Sequence, residues 1–219
     1  MSSLTSTARA LALGVALALV GCASAPPRDD TVFLQHQPRS ILVLPPLDHT
    51  LEPAACYGAL ATVTRPLAEL GYYVFPVAVV DAMMRQNGLP TSAEMQAVPL
   101  AKLNEIFGAD AVLYLSVEDW GTSYQVLTAG TTVTLAARLI DTETGLDLWH
   151  QSVTVQKASG NGGGGLGGLL VNALATQLSS AVYDPTPEVA REAAHRLFLD
   201  PRGGLLRGPL HPEFGQDRK

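Results

Sequence analysis

Cysteine is scarce: only Cys22 and Cys56 occur among 219 residues. A disulfide framework therefore cannot hold the fold together. Cations are also few. Fourteen Lys and Arg stand against 20 Asp and Glu, a formal net charge of −6, and no basic run occurs from residue 28 onward. Nucleic acid needs clustered Lys and Arg to displace phosphate counterions, so it is excluded as a partner. Five histidines, at 36, 49, 150, 195 and 211, include no pair at metal-ligand helical spacing, and no metal is expected. A Gly-x-Ser-x-Gly nucleophile elbow is missing too. No apolar run approaches the roughly 20 residues of a membrane-spanning helix.

What is present is an address. The first apolar run, from Ala10 to Val20, follows a segment whose only charge is Arg9 and ends in Leu19-Val20-Gly21-Cys22. A run of this length is the core of a signal peptide. The small Gly21 lets the chain enter a peptidase in extended form, and Cys22 supplies a thiol for lipidation. The competing reading is an ordinary secretory leader cut near Ala23 or Ala25.

The organisation that follows is a signal peptide over 1–21, a proline-rich polar tether over 22–38, an α/β domain over 39–200 and an extended or disordered tail over 201–219. Val32-Phe33-Leu34, within the tether, predicts a short edge strand at 31–35. Ile41–Leu44 is a continuous apolar run, the pattern of a strand buried on both faces. Pro45-Pro46 should end it. A helix is expected from Pro53 to Leu70, kinked or split at Pro66, then a strand at 72–75 and a helix at 77–87. Thr91 and Glu94 have capping-box spacing. A helix from Pro99 to Phe107 closes on Gly108. Strands begin at Ala111, alternate over 132–139, turn at Asp141–Gly145 and return over 146–156. The glycine-rich stretch 160–168 lacks the Lys-Ser/Thr of a phosphate loop and reads as a linker. Residues 169–183 read as an apolar helix on the sheet, and 187–199 as a last helix. Helix–strand alternation followed by a meander predicts a single α/β domain with a mixed sheet and helices packed on it in three layers.

Reaction chemistry is thin. Asp48-His49 follows the first buried strand, where open α/β sheets bind ligands, with Cys56 nearby. Cys56 has three open roles: a buried small apolar residue, a partner in an intermolecular disulfide, or a thiolate activated by a helix start. Adjacent acids at Glu118-Asp119 should point to opposite faces of a strand and so cannot work as a pair. Trp120, Tyr124 and Trp149 have the polar-edged rings that suit protein interfaces, although packing in the sheet would use them equally. No catalytic set and no cofactor site emerges.

Four segments carry a resemblance: Pro38–Pro46 (PRSILVLPP), Leu70–Pro76 (LGYYVFP), Gly108–Leu113 (GADAVL) and Asp141–Trp149 (DTETGLDLW). Together with the tail motif Gly208-Pro209-Leu210-His211-Pro212, they resemble a family of bacterial outer-membrane lipoproteins that includes a meningococcal surface-antigen candidate. The order of elements is similar, more distantly, to the amino-terminal domain of the Tol–Pal propeller protein and to the periplasmic domain of the curli secretion channel lipoprotein. Leu19-Val20-Gly21-Cys22 resembles the lipobox of bacterial lipoproteins, which implies lipidation of Cys22 and cleavage between Gly21 and Cys22. Ala23, by the sorting rule of enteric lipoproteins, implies release to the outer membrane, with the domain facing the periplasm. The family resemblance also implies a non-catalytic assembly module for an envelope complex such as a secretion or transport apparatus. Its partners would be envelope proteins, including a curli-channel-like lipoprotein, or further copies of itself. Two alternatives stand beside this: a regulator of a peptidoglycan synthase, and a thiol or hydrolytic enzyme using Cys56 and His49. No long amphipathic pair suits a transmembrane barrel, a departure from the channel lipoprotein.

Overall fold

Residues 29–125, 128–159 and 184–217 are described by a computed structural model. The elements are α1 (Thr31–His36), β1 (Ser40–Val43), β2 (Leu47–Asp48), α2 (Ala55–Glu69), β3 (Tyr73–Val74), α3 (Val77–Gln86), α4 (Ser92–Gln96) and α5 (Leu100–Phe107). Three long strands follow, β4 (Ala111–Gln125), β5 (Thr128–Asp141) and β6 (Asp147–Ser159), and then α6 (Thr186–Leu199). The sheet runs β3-β1-β4-β5-β6, with β2 also pairing to β4. Pairing is parallel among β3, β1, β2 and β4 and antiparallel from β4 to β6. The readings for 160–168 and 169–183 fall outside the described residues.

The unbroken apolar run in β1 is explained by helices on both of its faces. Ile41 and Val43 face a core shared with Val63 and Leu67 of α2 and with Val189, Leu197 and Phe198 of α6. Leu42 and Leu44 face a second core built from Val80, Met84, Met95 and Leu103 of α3, α4 and α5. All four β1-run side chains are fully buried, each worth about 1.5–3 kcal/mol. The second layer covers only this end of the sheet. Opposite α2 and α6, no helix among the described residues lies over the long part of β4, β5 and β6.

Pro45-Pro46 does not end the strand for good, contrary to the sequence reading. Pairing resumes beyond it, with Leu47 opposite Ser116 and Asp48 opposite Val117. The ladder bond from Leu44 N–H to the Leu113 carbonyl should be followed by one from residue 46 to Leu115, but proline has no N–H. The side chain of Gln96 fills the gap. Its Nε2 donates to the carbonyls of both Leu115 and Pro45 at 2.9 Å. Its position is set by the expected capping box, in which Thr91 and Glu94 bond reciprocally at the start of α4. Gln96→Ala would leave the Leu115 carbonyl without a donor, and we expect a loss of about 1–3 kcal/mol in urea unfolding.

The amino-terminal segment also departs from expectation: residues 31–36 form a helix, not an edge strand. Asp29 Oδ1 accepts from Thr31 N–H, and Phe33 alone inserts into the main core. At its end His36 Nδ1 donates to Asp141 Oδ2 at 3.2 Å. Asp141 closes the 141–145 turn by accepting from the N–H and hydroxyl of Thr144, with Gly145 at φ +73°. Burial opposes the Asp141 charge, but the Thr144 hydrogen bonds and the His36 ring outweigh it and hold the carboxyl below its ordinary 3.8. A depressed folded value contributes stability above the unfolded one and loses it as pH falls through the folded one. Stability should therefore drop as the pH is lowered past about 3.8, and Asp141→Asn should flatten that limb of the unfolding curve.

Pro66 does not split α2, which continues to Glu69. Beyond α6, residues 201–217 lie against the domain. Leu205 and Leu206 are buried, Tyr72 donates to the Leu206 carbonyl, and Gly208 and Leu210 N–H donate to the carbonyls of Leu70 and Gly71. A Cβ on Gly71, at φ +83°, would strike His211. One on Gly208 would strike the Gly71 carbonyl and the Tyr72 ring. The two motifs Leu-Gly-Tyr and Gly-Pro-Leu-His-Pro are thus halves of one close backbone contact.

Candidate functional site

The sheet face opposite α2 and α6, over which no described helix lies, carries a trough of about 470 Å³, within the size range of small-molecule pockets. Register builds it. Ser116, Ala136 and Ser152 stand side by side on β4, β5 and β6, and Tyr114, Arg138 and His150 form the neighbouring row. Strands lie about 4.8 Å apart, so the floor spans roughly 10 Å of short side chains beside a wall of long ones. Leu47 and Gln96 close the β2 end.

The wall is polar. Arg138 Nε reaches Asp147 Oδ2 at 3.2 Å, and His150 Nδ1 lies 3.5 Å from Asp147 Oδ1. Burial pushes the Tyr114 hydroxyl above its usual value, with the Arg138 charge acting against it. A β-bulge interrupts the ladder between Val117 and Asp119, and it overturns the reading that Glu118 and Asp119 face opposite ways. Ser116 Oγ donates to Glu118 Oε1 at 2.6 Å, and Thr134 Oγ1 donates to Asp119 Oδ2 at 3.0 Å. Both acids therefore belong to the open face, flanking the floor on the side away from Arg138 and His150. The arrangement can bind, and it sets the hydroxyls of Ser116 and Thr134 against carboxylates.

The residues singled out from sequence do not converge here. Gly21 and Cys22 lie outside the described residues. Trp149 is buried, not an interface anchor: it stacks on Phe198 at 5.6 Å between centroids and donates from Nε1 to the Gly203 carbonyl. Trp120 is half-buried over Gly58 of α2, where a Cβ would collide with its ring. Tyr124 stands opposite Ala129 in the β4–β5 ladder. Cys56 Sγ has the Pro46 carbonyl at 3.5 Å and Ser92 Oγ at 3.6 Å as polar neighbours. Burial, aided by the charges of Asp48 and Asp81, raises its pKa and keeps it a thiol; Ser92 and Arg85 only partly offset this. His49, exposed, uses its N–H on the Val117 carbonyl. Among the described residues no three His, Cys, Asp or Glu side chains group as metal ligands.

A family model described as "Putative lipoprotein GNA1162-like" matches residues 28–210. The chain belongs to this lipoprotein family. It is 44% identical over 207 residues to "Putative lipoprotein NMB1124/NMB1162" of Neisseria meningitidis serogroup B, covering 93% of this chain and 96% of the relative. The crystal structure of lipoprotein GNA1162 from Neisseria meningitidis superposes with a TM-score of 0.54 at 46% identity, over 65% of this chain and 99% of that one. That match bears out the mixed α/β fold, and membership of a GNA1162-like lipoprotein family implies membrane anchoring. A PelC dodecamer from Paraburkholderia phytofirmans is similar at 20% identity and a TM-score of 0.43, over 75% of this chain and 93% of that one.

The trough residues were missed in the sequence. Alternation over 132–139 does mark a less buried face, but nothing in the sequence says which rows align across three strands. Gln96 carries no signal at all, because its partners are carbonyls 19 and 51 residues away.

Proposed function

We propose that the protein is a lipoprotein anchored to the outer membrane through Cys22, and that its domain is a non-catalytic assembly module of a periplasmic envelope complex. The observation that carries this reading is the trough beside Tyr114, Arg138 and His150, on the face of β4, β5 and β6 that no described helix covers. Partner proteins would dock there, leaving the helical face free. A photo-crosslinking amino acid at Ser152, on the trough floor, should give discrete adducts in intact envelopes, and one at exposed Lys102 on α5 should not. Recovery of monomer alone from position 152, under conditions that capture other lipoproteins, would count against an assembly role.

The peptidoglycan-synthase reading is weakened by α1. Because the helix docks from Thr31, nine residue steps separate Cys22 from the folded domain, a reach of about 30 Å even when fully extended. The enzyme reading is weakened by the protonated, half-buried Cys56.

A further inference from the structure

A second groove, of about 390 Å³, lies between α2 and α6 on the helical side of the sheet. Thr62, Arg65, Pro66 and Glu69 line it from α2, and Arg191 and His195 line it from α6. Arg191 and His195 are one turn apart and share a helix face. Arg191 enters no ion pair among the described residues. Its Nε donates to the Pro187 carbonyl at 3.1 Å, which leaves both terminal nitrogens of the guanidinium for another acceptor. Arg65 Nε donates to Glu69 at 2.7 Å in an exposed pair. Such a pair is worth little and rearranges easily. Pro66 contributes an acceptor: it has no N–H for the Thr62 carbonyl one turn earlier, and Thr62 and Pro66 both form the groove wall.

Two guanidinium groups, an imidazole and a carboxylate therefore line one hollow, on a chain whose formal net charge is −6. We propose that this groove binds a phosphate with neighbouring hydroxyl groups, the chemistry shared by a glycerophospholipid headgroup and a free glycerol or sugar phosphate. Guanidinium forks from facing helices match the oxygens of a tetrahedral anion approached from two sides. Hydroxyls beside the phosphate donate to the Thr62 carbonyl and to Glu69. Inorganic phosphate meets only the cationic half of the site.

Calorimetric titration of the full chain in nonionic detergent tests this with inorganic phosphate, sn-glycerol 3-phosphate and glycerophosphoglycerol as probes. Glycerol 3-phosphate should bind at least about fivefold more tightly than inorganic phosphate. Arg191→Gln should weaken both by about tenfold with an unchanged thermal midpoint. Pro66→Ala, which restores an N–H to Thr62, should reduce the preference for the glycerol ester, with Glu69 still accepting, and leave inorganic phosphate binding as it was. Glycerophosphoglycerol binding as well as the monoester would identify a lipid headgroup, and much weaker binding a free phosphate ester. Absence of saturable binding, equal affinities for phosphate and its glycerol ester, or an Arg191→Gln protein that binds unimpaired would overturn the proposal.

Discussion

Cys22→Ala should abolish acylation and remove the protein from the outer-membrane fraction, the largest single effect expected for this chain. On the proposed reading Leu19-Val20-Gly21-Cys22 places the thiol directly after the point of cleavage, and alanine offers no sulfur for a diacylglyceryl thioether. Each buried methylene contributes about 0.8 kcal/mol to membrane binding, so one chain holds marginally and three hold firmly. The leader core, at about 11 residues, is too short to replace them as a spanning anchor. Mass spectrometry of the amino-terminal peptide and fractionation of envelopes would check both halves. An alanine variant that stayed in the outer-membrane fraction would mean that something other than the lipid holds it there.

Trp149→Ala should cost about 3–5 kcal/mol, the range for deleting a buried aromatic side chain. A domain of ordinary stability has about 5–15 kcal/mol in total, so much of the protein would unfold at growth temperature. Trp149 is 2% exposed. Its ring lies at 27° to Phe198 of α6, and its Nε1 fixes the Gly203 carbonyl just beyond that helix at 2.9 Å. The lost side chain would open a cavity between β6 and α6 and release the start of the tail. Trp149→Phe keeps a ring against Phe198 and should cost less. Urea unfolding followed by circular dichroism measures both, and a loss below about 1 kcal/mol for alanine would show that the site collapses around the smaller residue.

Many elements read from sequence match the structure where local chemistry decides them, although Pro66, expected to kink or split α2, lies within a helix that runs on to Glu69. Gly108 caps α5 in the left-handed conformation, at φ +63°. Thr91 and Glu94 close their box. The Ile41–Leu44 run is buried on both faces because its side chains alternate between two cores. Departures occur where distant segments supply a missing group. Gln96 donates where Pro46 cannot, so a proline pair that reads as a strand end becomes an interruption. Phe33 finds a core and His36 an aspartate 105 residues away, so a tether-like segment winds into a helix. At Glu118-Asp119 the inserted residue of a bulge breaks the two-residue period from which opposite faces were inferred.

The proposed lipidation of Cys22 rests on a linear pattern of neighbouring residues and involves no fold. The same holds for the strand–helix order and the caps, which depend on side chains within a few residues of one another. The trough and the phosphate groove belong to the tertiary structure alone. Ser116, Ala136 and Ser152 form one row only through strand register, and Arg65 and Arg191 line one groove only because α2 and α6 pack on the same sheet face. Address is a property of neighbours in the chain; the binding surfaces come from neighbours in space.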